Sequence, residues 1–171
     1  MMERKQVLYD LRTTYNGPFI VEDFYAEVDN WIKEKGYEKE PKKKMEHVTK
    51  NGKKIEWLIE AHMHMDMEHT MGIIALRALM DNVKEVLIKK NGKKMRINYG
   101  NVFINIDGWR YAMVHMGFWG MKPIYYFIRA LIDKYIYHFL DRHDSMIIDD
   151  CRDLFKRIRA FFGLEKYKYM V

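Results

Sequence analysis

The sequence predicts an α+β domain in which an antiparallel sheet of six to seven strands curves around a long carboxy-terminal helix. Three observations carry this expectation. Residues Lys54 to Glu68 alternate apolar and polar side chains, with Ile55, Trp57, Ile59, Ala61, Met63, Met65 and Met67 on one side, the period-two pattern of a half-buried strand. The pentapeptide Lys-Asn-Gly-Lys-Lys occurs at 50–54 and again at 90–94. Asn-Gly is the strongest short hairpin signal, because a two-residue type I′ turn needs positive φ at both central positions. From Ile124, just after Pro123, the residues Phe127, Ile128, Leu131, Ile132, Tyr135, Ile136, Phe139 and Leu140 recur at helical spacing.

The remaining elements follow in chain order. Val7, Tyr9 and Leu11 mark a first strand over 6–13, closed by a turn at Asn16-Gly17-Pro18. Ile20 to Lys35 is an amphipathic helix with Ile20, Phe24, Val28, Trp31 and Ile32 on one face, Glu22 and Asp23 at its positive end, and Gly36 as its stop. The first Asn-Gly turn is expected to pair Val48 with Ile55 and His47 with Glu56. The second pairs Ile88 with Met95 and Val86 with Ile97. Met71 to Met80 reads as a strand ending at Asp81-Asn82, and Val102 to Gly108 as a last strand with Val102, Ile104 and Ile106 on one face.

The helical pattern falters at Asp141 to Ser145 and resumes as Ile147, Cys151, Leu154, Phe155, Ile158, Phe161 and Phe162 before Gly163. One helix of about forty residues would be about 60 Å long, more than a domain of this size can cover, so a break is expected near His143. The chain thus divides into a domain over 1–140 and a helical extension over 141–171 that packs on the domain or on a partner.

With 171 residues, 49% hydrophobic and 32% charged, the composition is that of one globular domain. The net charge of +6 is concentrated in Lys42-Lys43-Lys44 and the two pentapeptides, turn tips where solvated charge is ordinary, and does not indicate nucleic acid. No stretch approaches the roughly 18 apolar residues of a membrane span, and Glu3, Arg4 and Lys5 precede no apolar run, so a cytoplasmic protein is expected. The single cysteine, Cys151, lies on the apolar helical stripe and permits no disulfide within the chain.

Strand, helix, six antiparallel strands and a long carboxy-terminal helix is an order that resembles the helix-grip superfamily, also called START-like or polyketide-cyclase-like (SRPBCC), across roughly residues 6–140. The segment Trp119, Pro123, Tyr126-Phe127, Arg129 and Asp133-Lys134-Tyr135-Ile136-Tyr137 is also similar to uncharacterised archaeal proteins of this kind. The resemblance implies a cavity between sheet and long helix that holds an apolar or amphipathic small molecule such as a lipid, mostly by binding and sometimes with catalysis. It supplies no shared catalytic motif. The chain departs from the superfamily in having one amino-terminal helix rather than two short ones, and in its extension beyond Asp141.

On this reading the cavity is lined by Trp57, Ile59, Met63, Trp109, Trp119, Tyr126, Arg129 and Ile132. The aromatic residues anchor the helix or meet the ligand. Arg129 pairs with Asp133 along the helix surface or, turned inward, meets a ligand carboxylate or phosphate. The alternative is a homodimer with a filled core, joined through Ile147, Leu154, Phe155 and Ile158. A third reading is a metal-dependent enzyme using His62, His64 and Asp66, which alternation places on one side of the strand with Glu68 or His69 near. That row also resembles the His-x-His-x-Asp-His motif of metallo-β-lactamase-like hydrolases, except that Met67 stands where the motif requires His. Met63, Met65 and Met67 are thioethers of a kind that binds Cu(I), but their strict alternation fits an apolar lining better. Ser145 is the only serine and there is no phosphate-binding glycine loop; no catalytic residue and no cofactor is assigned.

Overall fold

The computed structural model describes residues 2–65, 70–90, 93–113 and 138–164 together with Ile124, Phe127 and Leu131, less the side chains of 2–3, 88–90, 93–95, 112–113 and 138–142. The elements run β1 (Met2–Phe19), α1 (Val21–Lys35), β2 (Glu38–Thr49), β3 (Gly52–His64), β4 (Thr70–Lys90), β5 (Lys93–Met113) and α2 (His138–Phe161). The five strands form one antiparallel sheet in the order β1-β5-β4-β3-β2, so the first strand closes against the last. Both helices lie on one face of it.

Alternation decides which residues meet the helices. Ile55, Trp57, Ile59 and Ala61 on β3, Ile74, Leu76, Ala78 and Met80 on β4, and Val102, Ile104 and Ile106 on β5 all point to the inner face and are buried. Opposite them α1 contributes Phe24, Val28, Trp31 and Ile32, and α2 contributes Ile147, Cys151, Leu154 and Ile158. Each buried Val, Leu, Ile, Phe or Met among them stabilises the fold by roughly 1.5–3 kcal/mol relative to an exposed one. Gly36, at φ 76°, ends α1 as its sequence position predicts, with its N–H donating to the Lys33 carbonyl.

The expected six to seven strands are five because the expected break at Asp81-Asn82 is a bulge within β4 and β5 runs unbroken through Gly100. Asp81-Asn82 does not end a strand; β4 runs 21 residues through it, with a register shift between Asp81 and Lys84 and Asn82 at φ 55°. Glycine flanks the bulge on both neighbouring strands. A Cβ on Gly52 would lie 2.9 Å from the Asn82 carbonyl carbon, and one on Gly100 would lie 3.0 Å from the Asp81 oxygen. Gly52 is therefore spent beside the bulge rather than inside the turn. The two-residue loop is Lys50-Asn51, Thr49 pairs with Gly52, and the expected Val48–Ile55 and His47–Glu56 pairs become Val48–Lys53 and His47–Lys54. The second hairpin has the expected register, with Ile88 opposite Met95 and Val86 opposite Ile97; its turn at 91–92 lies outside the described residues.

Asn16-Gly17-Pro18 likewise continues β1 rather than turning, pairing with Asn101, Gly100 and Tyr99. A proline is tolerated there because β1 is an edge strand with an unpaired side.

The second helical stretch, expected to be an extension packed on the domain or on a partner, packs on the sheet. α2 is continuous from His138 through His143, where a break was expected, and its stripe is consumed by the chain's own core. Ile147 is 0% exposed, Leu154 2% and Ile158 1%, so with half-buried Phe155 they cover the sheet and do not form the partner surface the sequence suggested. Ile124, Phe127 and Leu131 are helical but exposed, although the sequence placed them on a buried stripe. Beside β1, β4 and β5 the inner face is already covered by α2.

Candidate functional site

The described inner face is apolar except at one end, where α2 begins. By continuing the alternation of Val102, Ile104 and Ile106, β5 points Gly108 and then Arg110 inward. The Arg110 side chain is 6% exposed and its Nη1 lies 3.0 Å from Asp144 Oδ1, on the first turns of α2. Lys5 of β1, opposite Arg110 in register, donates from Nζ to Asp144 Oδ2 at 2.7 Å. Thr70 and His143 are also buried at this end. Two cationic side chains from two strands thus converge on one helix carboxylate.

The neighbouring surface has been cleared of bulk. Gly72 pairs with Arg110, and a Cβ there would lie 2.6 Å from Met65 Cε. Gly108 lies under α2, where an added Cβ would meet Cys151 Sγ and Ile147 Cγ2 at 3.1 Å. Met63 and Met65 are half-buried against the core beside this end.

The residues expected to line a cavity separate into three groups. Trp57 and Ile59 are buried in the filled part of the core, the Trp57 ring 5.8 Å from that of Phe24 and 4.4 Å from that of Tyr25. Met63 lies on the inner face, half-buried. Trp109 stands on the outer face, covered by the Arg4 guanidinium 3.7 Å from its ring centre. Trp119, Tyr126, Arg129 and Ile132 lie outside the described residues.

Of the expected His62-His64-Asp66 row, the structure describes the two histidines. His62 faces Glu40 on β2 and Glu60 on β3, its Nε2 being 3.0 Å and 3.3 Å from their carboxylate oxygens. His64 is exposed two residues on, and Asp66 lies outside the described residues. Lys42 reaches the same carboxylates, donating to Glu40 at 2.7 Å, and its hydrogen bond raises its own pKa while holding that of Glu40 below the usual range. The thiol of Cys151 is pushed up to about 12, first by burial and then by Asp150 and Asp107, so it is not a nucleophile at neutral pH.

Arg110 and Asp144 escaped attention in the sequence because the aromatic neighbours Trp109 and Tyr111 look like the core side of the strand. The signal was present. Strict alternation from Val102 puts Arg110 inward, and Asp144 stands three residues before Ile147 on the buried helical stripe.

Among the described residues, no helix is long and apolar enough to cross a membrane. Comparison with models of known protein families finds no match, and comparison with curated proteins finds none either.

Proposed function

We propose that this domain is a non-enzymatic binding module for an amphipathic small molecule with an anionic head, received by Arg110 and Lys5 where the sheet meets the start of α2. The carrying observation is the position of the Arg110 guanidinium, buried between sheet and helix at 6% exposure. Burying a guanidinium costs several kcal/mol, and an apolar side chain of similar size joins two layers at least as well. Retaining the charge at that cost fits recognition, for which the planar fork of Arg matches carboxylate and phosphate two bonds at a time.

Three further features support the reading. Met63 and Met65, flexible and polarisable, lie at this end and suit an apolar tail. The Trp57 ring is packed against Phe24 and Tyr25, whereas the α2 end carries the charged groups that an anionic head would meet. The order strand, helix, antiparallel strands, long helix, with β1 closing against the last strand, agrees with a helix-grip arrangement of five strands.

Native mass spectrometry with dodecanoate and dodecan-1-ol as probes tests this. The acid is expected to form a 1:1 complex in clear excess over the alcohol. Equal uptake of the two, or uptake of neither, contradicts the reading.

A further inference from the structure

The outer face of the β2–β3 hairpin holds a second constellation, separate from the Arg110 end. Glu60 and His62 are two apart on β3 and project to the same side, and Glu40 is directly opposite Glu60 in the β2 register. β3 is paired on both sides, by β2 and β4, so two of the three side chains spring from fixed backbone. One ligand atom from each residue lies within 4.8 Å of the others.

We propose that Glu40, Glu60 and His62 form a binding site for a divalent metal ion of the zinc class, with Lys42 as the competing internal cation. A tetrahedral zinc ion with bonds of about 2.0–2.2 Å sets its ligand atoms about 3.3–3.6 Å apart. His62 Nε2 stands 3.0 Å from Glu40 Oε2 and 3.3 Å from Glu60 Oε2, within a few tenths of an ångström of that spacing. An independent observation points the same way. Nε2 is buried, and despite those short distances neither carboxylate meets it with hydrogen-bond geometry. An imidazole nitrogen set among carboxylate oxygens without a hydrogen bond to either is placed as a metal ligand would be.

Lys42 shows that a cation belongs there. Lys42, two residues on from Glu40, projects to the same side, where its Nζ lies 2.7 Å from the Glu40 carboxylate and 3.2 Å from that of Glu60. An ammonium neutralises the carboxylates but cannot use the imidazole nitrogen. A zinc ion uses all three groups and leaves a fourth position for solvent. One nitrogen and two carboxylates favour zinc or nickel over magnesium, which prefers oxygen ligands in octahedral geometry.

The test is calorimetric titration of the full chain with Zn²⁺ alone and with Mg²⁺ alone. The wild type is expected to bind one zinc, His62→Ala and Glu60→Gln to weaken it at least tenfold, and Lys42→Met to tighten it several-fold. His64→Ala is expected to leave it unchanged, and all four variants to keep the wild-type circular dichroism spectrum. Absence of zinc binding, unchanged affinity in His62→Ala, loss of affinity in His64→Ala, or equal affinity for magnesium would each overturn the proposal.

Discussion

The Tyr37 hydroxyl donates to Asp150 Oδ2 at 2.8 Å, a buried bond that ties the link between α1 and β2 to the middle of α2. Asp150 also accepts from Lys35 at 3.0 Å, while one helical turn on, Asp153 accepts from the Trp31 indole at 2.9 Å. These bonds fix how the two helices share one face of the sheet. Removing one partner leaves a buried polar group unmatched, which costs more than the net worth of the bond.

Tyr37→Phe is accordingly expected to lower the unfolding free energy by about 1 kcal/mol, and Asp150→Ala by about 1–3 kcal/mol, since the latter strands both the phenol and the ammonium. Chemical denaturation checks the order. An Asp150→Ala variant as stable as wild type would remove the network from the account of the fold.

Gly108 lies beneath α2 with Cys151 Sγ and Ile147 Cγ2 at 3.1 Å and Leu8 Cβ at 3.3 Å from where a side chain would begin. None of these is the loose end of a flexible chain, so an added methyl group requires packed neighbours to give by a few tenths of an ångström. Gly108→Ala is expected to cost about 1–3 kcal/mol, read from the same denaturation curves.

The thiol of Cys151, 0% exposed and pushed up to about 12, is expected to resist a thiol reagent in the native state at pH 8 and to react at once in denaturant. Rapid labelling of the native protein would show that α2 does not stay seated on the sheet.

The helix pair also predicts acid sensitivity. The Trp31 indole N–H, and after it Lys35, hold the Asp153 pKa below its ordinary value, and Arg157 does the same for Glu34, donating to it at 3.1 Å. A carboxylate with a lowered native pKa stabilises the fold fully above its unfolded value, near 4, and loses that contribution as pH falls through the lower native value. Stability is expected to be level above about pH 5 and to decline below it, with a shallower decline in Arg157→Met. Identical acid limbs in the two proteins would contradict the assignment.

Much of this arrangement could be read from residue spacing. Alternation assigned the inner faces of β3 and β5 correctly, the α1 stripe and its Gly36 stop are as expected, and the second hairpin has the expected register. Breaks were harder to read than faces. Asn82 and Gly100 carry turn chemistry, but a bulge uses the same positive φ and the same missing Cβ, and only pairing with neighbouring strands distinguishes the two. The stripe from Ile147 to Phe162 was expected in an extension on the domain or on a partner, and its place on the sheet is decided by three-dimensional connection, not periodicity. His62 belonged to a candidate metal row in the sequence, but its cross-strand neighbour Glu40 depends on a register that a bulge between Pro41 and Lys43 shifts.

The most direct measurement is dodecanoate affinity, by calorimetry, in wild type and in the double variant Arg110→Met with Asp144→Leu. Replacing both members of the ion pair leaves no buried unmatched charge, so the variant is expected to keep its melting temperature within a few degrees. If Arg110 receives the anionic head, the folded variant binds dodecanoate at least tenfold more weakly than wild type while its affinity for dodecan-1-ol stays the same. A folded double variant with wild-type affinity for the acid would contradict the binding role assigned to Arg110.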